Sequence, residues 1–239
     1  MKDAPPQSIY LSDYTPPAFL VDDVHLTFRL SAKKTRVISK ISFRPNPSSQ
    51  SREFFLHGEN LRLVAARVDG EKVTPAIGKD GLTCEVPDAP FIWETEVEID
   101  PVDNTALEGL YMSNGMYCTQ CEAEGFRKIT YYPDRPDVMS VFTVRIEGDE
   151  RVMLSNGNLL DKGDGFAEWH DPWPKPSYLF ALVAGDLINH PDRFTTRYGR
   201  DVELNIWVRP GDEGKCAFGM EALKKSMKWD EDTYGREYD

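Results

Sequence analysis

Apolar and polar residues alternate with a period of two through most of this chain. Val24, Leu26, Phe28 and Leu30 share one face, with His25, Thr27 and Arg29 on the other. Successive side chains of an extended chain point to opposite sides, so this pattern marks a half-buried β-strand. Val37, Ser39, Ile41 and Phe43 repeat it, predicting an antiparallel hairpin that turns across Ser31 to Lys34. Short strands are predicted next at 54–57, 61–68, 72–75, 82–86 and 91–99. Asp69-Gly70 separates two of them, and glycine takes the positive φ that a tight hairpin turn needs. In the last of these strands Phe91, Trp93, Thr95, Val97 and Ile99 oppose Ile92, Glu94, Glu96 and Glu98. One face is thus expected to be buried and the other wet.

Further strands are predicted at 139–147, 152–155, 166–171 and 178–184. Asn156-Gly157 and the stiff run Asp171-Pro172-Trp173-Pro174-Lys175-Pro176 separate them. Closely spaced strands without helical periods between them predict a mainly β fold, a sandwich or a strongly curved antiparallel sheet. Proline-rich residues 1–20 are expected to lie extended across its surface. The all-β character runs to about Asn189, and His190-Pro191-Asp192 reads as a boundary.

Beyond it the period changes. Val202, Leu204, Ile206 and Val208 give one more strand. Cys216, Met220, Leu223, Met227 and Tyr234 then recur at threes, fours and sevens, predicting a helix over 215–234 with one apolar stripe. Glu221 and Lys225 form an i,i+4 pair, and Gly235 suits the position just past a helix end. One strand and one helix are too little to bury that stripe. Residues 1–193 therefore read as one domain and residues 194–239 as the beginning of another.

Composition narrows the class. Of the 239 residues, 40% are hydrophobic, enough for a true core and against disorder. The net charge is −12 and no basic stripe appears, which excludes a nucleic-acid surface. The longest apolar run, Tyr178 to Ala184, is too short to span a bilayer, so no membrane partner is expected. The first residues, MKDAPPQSIYLSDY, carry no secretory h-region. Four cysteines (Cys84, Cys118, Cys121, Cys216) at irregular spacing make no disulfide framework. A cytoplasmic setting fits these features.

Few residues could carry chemistry. Cys118-x-x-Cys121 would need two more ligands to hold zinc, and Cys84 and Cys216 are isolated. As a redox pair it should open a helix after a strand, whereas its surroundings are β-rich, so two reduced loop cysteines are expected. His25, His57, His170 and His190 include no two at three to five apart and no H-E-x-x-H. A zinc peptidase needs two imidazoles on one helical face, a third ligand and a general base. No catalytic residue and no metal ligand is therefore expected in this chain. There is no G-x-S-x-G, and Ser155-Asn156-Gly157 reads as a turn. What remains is Gln120 and Glu122, although a loop glutamate is ordinarily a solvated charge. Nearby Glu124, Arg127, Tyr131, Asp134 and Arg135 are expected to hold the loop in shape, with Asp134 or Glu124 pairing an arginine.

The stretch Gly109 to Val138, GLYMSNGMYCTQCEAEGFRKITYYPDRPDV, resembles the N-terminal domain of the bacterial aminopeptidase N family, zinc metallopeptidases of the gluzincin class. Leu154 to Asn158, Asp171 to Pro176, Tyr178 to Asp186 and Leu223 to Asp239 are similar too, and earlier strands match in pattern. The resemblance implies a saddle-shaped, sandwich-like β domain followed by the first strand and helix of a thermolysin-like catalytic domain. It implies that Gln120 and Glu122 line the pocket for a peptide's first residue, with Glu122 on its α-ammonium. Zinc is implied for the full-length parent and none for residues 1–239, since the family's G-A-M-E-N and H-E-x-x-H segments would follow Asp239. The partners implied are a peptide with a free N-terminus and the remaining catalytic and C-terminal domains. The chain alone is expected to be inactive. Two rival readings are a free-standing β-sandwich interaction module without activity, and a redox or zinc protein built on Cys118 and Cys121.

Overall fold

The predicted first hairpin is β1 (Phe19–Arg29) and β2 (Thr35–Pro45), seen in a computed structural model that describes residues 10–238. It is followed by β3 (Phe55–His57), β4 (Arg62–Val68), β5 (Glu71–Lys72), β6 (Ala76–Ile77), β7 (Gly81–Thr83) and β8 (Phe91–Ile99). Next come β9 (Gly109–Ser113), β10 (Met116–Gln120), β11 (Ser140–Glu147), β12 (Val152–Ser155), β13 (Asn158–Gly163), β14 (Phe166–Lys175) and β15 (Leu182–Gly185). The described chain closes with β16 (Ile188–Thr195), β17 (Asp201–Val208) and one α-helix, α1 (Cys216–Tyr234). Of the extended run expected at 1–20, residues 1–9 lie outside the described residues. From Tyr10 there is one short 3-10 turn, Leu11–Asp13, and then extended chain.

Two compact units are present, residues 10–149 with 153–184, and residues 150–152 with 185–238. The first holds an eight-stranded sheet in the order β13-β14-β11-β1-β2-β8-β4-β5. Its neighbours are antiparallel except β1 and β11, which run parallel from Asp23↔Val141 to Arg29↔Glu147. A four-stranded sheet β12-β15-β10-β9 and a three-stranded sheet β3-β7-β6 complete it. The predicted alternation holds. Val24, Leu26, Phe28, Val37, Ile41, Phe43, Trp93 and Val97 are buried, and Ile92, Glu94, Glu96 and Glu98 lie on the wetter face. Phe126, Tyr132, Phe142 and Phe180 close over this core in edge and tilted ring contacts. The segment after β10 is thereby anchored in the core by two aromatic side chains, Phe126 and Tyr132.

Some strand bounds differ from the pattern. The strand expected at 72–75 is only β5, since Pro75 has no N–H to give a ladder. The strand expected at 178–184 begins at Leu182, because Ser177–Leu179 form a 3-10 turn after Pro176. β14 runs on to Lys175 through Pro172 and Pro174, which were expected to break it. β13 pairs β14 only as far as His170, and β14 shifts register against β11 there, so no ladder N–H is required of those prolines. β13 itself was not foreseen; its residues are exposed throughout and carry no alternation.

In the second unit β16 and β17 form a hairpin paired from Ile188↔Val208 to Thr195↔Asp201. The fold therefore changes at 184/185, while the expected domain limit at 193/194 falls inside β16. Pro191, taken as a breaker, is tolerated because a two-stranded ribbon has a free edge on each strand. Met220 of α1 packs with Val202 and Leu204, joined by half-buried Phe194, Ile206 and Met227. The helix ends as predicted, with Gly235 at φ 66° donating to Glu231 O at 3.1 Å. Its buried stripe differs from the expected one: Leu223 and Tyr234 are exposed, and Glu231 is buried. A glutamate can lie there because Arg197 N–H donates to Glu231 Oε1 at 3.1 Å and Arg197 Nη1 to Glu231 O at 2.9 Å.

Candidate functional site

Gln120 is the last residue of β10, and its place is fixed from two sides. β9 and β10 pair from Ser113↔Met116 to Gly109↔Gln120, with Asn114 and Gly115 at φ 50° and 79° making the turn. On the other side Thr119 Oγ1 donates to Leu182 O at 3.1 Å and accepts from Leu182 N–H at 2.8 Å. The chain then doubles back, with Gly125 N–H donating to Cys121 O at 2.8 Å. A Cβ on Gly125 would lie 2.3 Å from Gln120 O and 3.0 Å from Gly109 N, so only glycine lets these three backbone segments meet.

Between the buried anchors Cys121 and Phe126 the residues Glu122, Ala123 and Glu124 stand in solvent. The Glu122–Ala123 peptide bond is cis. Gln120 Nε2 donates to the backbone carbonyl of Glu122 at 3.1 Å. Glu124 pairs with Arg127 at 3.4 Å, whereas the Glu122 carboxylate has no hydrogen bond or ion pair among the described residues. Two neighbouring acids are thus in different states: one neutralised by its own chain, one open.

The loop is held from beneath by Asp134, whose side chain is 2% exposed. Its Oδ2 accepts from Arg127 N–H at 3.1 Å and Arg127 Nε at 3.0 Å, and its Oδ1 from Ser177 Oγ at 2.6 Å. Arg127 Nη2 also donates to Asp134 O at 3.1 Å. Arg135 grips Asp137 through two bonds of 2.8 and 2.7 Å and reaches Thr15 O at 2.8 Å. The supporting roles expected of Glu124, Arg127, Asp134 and Arg135 are therefore seen in bonds. Tyr131 is buried against Gly58, where a Cβ would meet its ring at 2.2 Å.

Sequence reasoning missed two members of this support. His57 on β3 accepts the Asp134 N–H at Nδ1, 3.2 Å away, and exchanges backbone bonds with Tyr132 at 2.9 and 3.1 Å. Ser177 is the other. They lie 77 and 43 residues from Asp134, and neither has a local pattern that would signal the contact. Burial and the Arg127 guanidinium lower the His57 pKa below 6.5, with Asp134 opposing. The folded state then binds fewer protons than the unfolded one just below that value. His57 should contribute stability in full above pH 6.5 and lose it as the pH falls beneath. The urea midpoint should drop between pH 7.5 and 5.5 in the natural chain and less in His57→Gln; equal drops would exclude this role.

Cys118 lies on β10 and Cys121 just past its end, with no helix opening there, and both are free thiols. Burial pushes the Cys121 thiol far above its ordinary range, the opposite of a reactive thiolate. Among the described residues no three His, Cys, Asp or Glu are grouped to hold a metal ion. His25 faces Asp23 alone at 3.2 Å, and His170 Nδ1 is bonded to Thr143 Oγ1 at 3.0 Å. The zinc implied for the parent therefore finds no fitting donor set among these residues. No helix among them is long and apolar enough to cross a membrane.

Comparison with known proteins gives this geometry a context. Residues 21–179 match the model of the peptidase M1 N-terminal domain. The chain is 49% identical to aminopeptidase N of Caulobacter vibrioides over 100% of its own length, and 44% identical to that of Escherichia coli over 98%. It spans only 29% and 28% of those relatives. Among solved structures, Legionella pneumophila aminopeptidase A in complex with aspartic acid superposes with a TM-score of 0.91 at 35% identity. That match covers 95% of this chain and 28% of the other. Yeast LTA4 hydrolase shares the fold at 19% identity, with a TM-score of 0.73. The family match covers both sides of the Glu122 loop and the strands that carry it, and the chain belongs to the peptidase M1 family as an N-terminal domain.

Proposed function

We propose that this chain supplies the substrate-amine contact of a zinc-dependent aminopeptidase N that removes single residues from peptide N-termini in the cytoplasm. The observation that carries this is the open Glu122 carboxylate, exposed and unneutralised on a loop whose every neighbour is pinned. A peptide's α-ammonium has a pKa near 7.7–8.0 and is largely charged at neutral pH. A carboxylate enclosed beside it forms a charge-assisted hydrogen bond and sets the distance to the first carbonyl. Gln120, one strand position before the turn, forms the adjoining wall for the first side chain.

The metal, its ligands and the hydrolytic step belong in this reading to the polypeptide outside residues 1–239, of which 185–238 begin the catalytic domain. Bound zinc would activate the attacking water there. Residues 1–239 alone are inactive. The likeness to an aminopeptidase A solved with aspartic acid, a free amino acid, supports such a reaction class.

The test uses the whole polypeptide with matched substrates whose α-amine is free or acetylated. Hydrolysis of the free amine only, and none by residues 1–239 alone, is expected; equal turnover of the acetylated substrate would overturn the reading.

A further inference from the structure

Gln120 sits where two roles are open to it: wall of a pocket, or brace of the neighbouring acid. The bond between Gln120 Nε2 and Glu122 O, 3.1 Å long, decides how its amide is oriented. A backbone carbonyl can only accept, so the amide nitrogen must face it, and Oε1 turns away toward solvent. The base of this contact is rigid. Gln120 ends a strand paired to Gly109, and the preceding Thr119 is bonded twice to Leu182. Gly125 lies against the Gln120 carbonyl so closely that a Cβ would approach to 2.3 Å. The far end is the weakly held part: Glu122 to Glu124 are exposed, and the Glu122 side chain is bonded to nothing described. A side chain rooted in the sheet therefore reaches across to hold the one turn whose carboxylate must keep its aim.

We infer that Gln120 is a positioning residue, which holds the Glu122 turn in place through the Glu122 carbonyl rather than selecting the first side chain of the substrate. This inference rests on Glu122 being the amine contact. It fits the placement rule for binding sites, in which the contacting group is steadied by a bond from a rigid element.

A pocket wall and a brace make different predictions. Replacing Gln120 with methionine keeps its length and apolar stem but removes the donor. In the whole enzyme, Gln120→Met should lower kcat/KM about 3- to 10-fold, the range one neutral hydrogen bond supports. The loss should be the same for substrates beginning with alanine, leucine or phenylalanine. It should be carried by both enzyme–substrate and transition-state binding, appearing as a raised KM. In a Glu122→Ala background, Gln120→Met should do almost nothing further, because there is no carboxylate left to aim. Losses that vary with the first residue, or that add fully to Glu122→Ala, would overturn the inference. If Glu122→Ala alone leaves kcat/KM unchanged, the amine-contact reading has failed instead, a result distinct from additive losses. Gln120→Glu serves as a second variant of the same shape: its oxygens oppose the Glu122 carbonyl, and it should fall at least as far as methionine.

Discussion

Glu122→Ala in the whole protein should lower kcat/KM for a free-amine peptide about 10- to 100-fold, the span of one charged hydrogen bond. The effect is expected in catalysis and not in folding. The carboxylate is exposed and bonded to nothing described, so its removal takes no support from the loop. Thermal unfolding of the variant should match the natural protein. Glu124→Ala is the internal control: it carries the same charge two residues on, but Arg127 already neutralises it, so kcat/KM should move by less than about threefold. Unchanged kinetics in Glu122→Ala, or equal losses in both variants, would remove the case for a specific amine contact.

The largest stability loss is expected at Asp134. Asp134→Ala takes the acceptor from Arg127 N–H, Arg127 Nε and Ser177 Oγ in a site nine-tenths closed to water. The guanidinium is then left buried without its partner, and breaking such a pair costs about 3–5 kcal/mol. Arg127 keeps some access to solvent and its contact to Glu124, so the lower end, about 3 kcal/mol, is the expectation. For a chain of this size that is a fall in Tm of roughly 6–12 °C. A shift under about 2 °C would show that the network contributes little. The same variant should also weaken catalysis in the whole protein, because Arg127 is the link between this network and the exposed turn.

How much of this was legible beforehand follows from how local each signal is. Period-two alternation from Val24 to Phe43 and from Phe91 to Ile99 gave the central strands, since burial on one face writes itself directly into sequence. β13 stayed hidden because it is an exposed edge strand with no buried face to impose a pattern. The prolines of β14 misled because proline's cost depends on whether a neighbour needs its N–H, a fact of sheet order. At the site, Gln120 and Glu122 came from family resemblance, while their surroundings could be guessed only as charges near one another. The convergence of His57, Ser177 and Arg127 on Asp134 is a product of the tertiary fold, and no spacing within the chain announces it. On α1, Glu231 broke the expected stripe because its partner, Arg197, comes from the hairpin and not from the helix.

The parallel contact between β1 and β11 has a consequence for how the chain assembles. A polypeptide emerging from the ribosome N-terminus first can pair β1 with β2 at once, across four residues. The opposite edge of β1 stays open until residue 147 is available, 118 residues after its partner Arg29. Everything in between, including the turn that carries Glu122, is enclosed in that closing loop. Sheet completion and the final placement of the acid thus fall in one late, non-local step of the kind that slows folding. Nascent chains halted short of β11 should hold β-hairpins with an uncovered edge, the form in which this domain is most exposed to mispairing with its own copies.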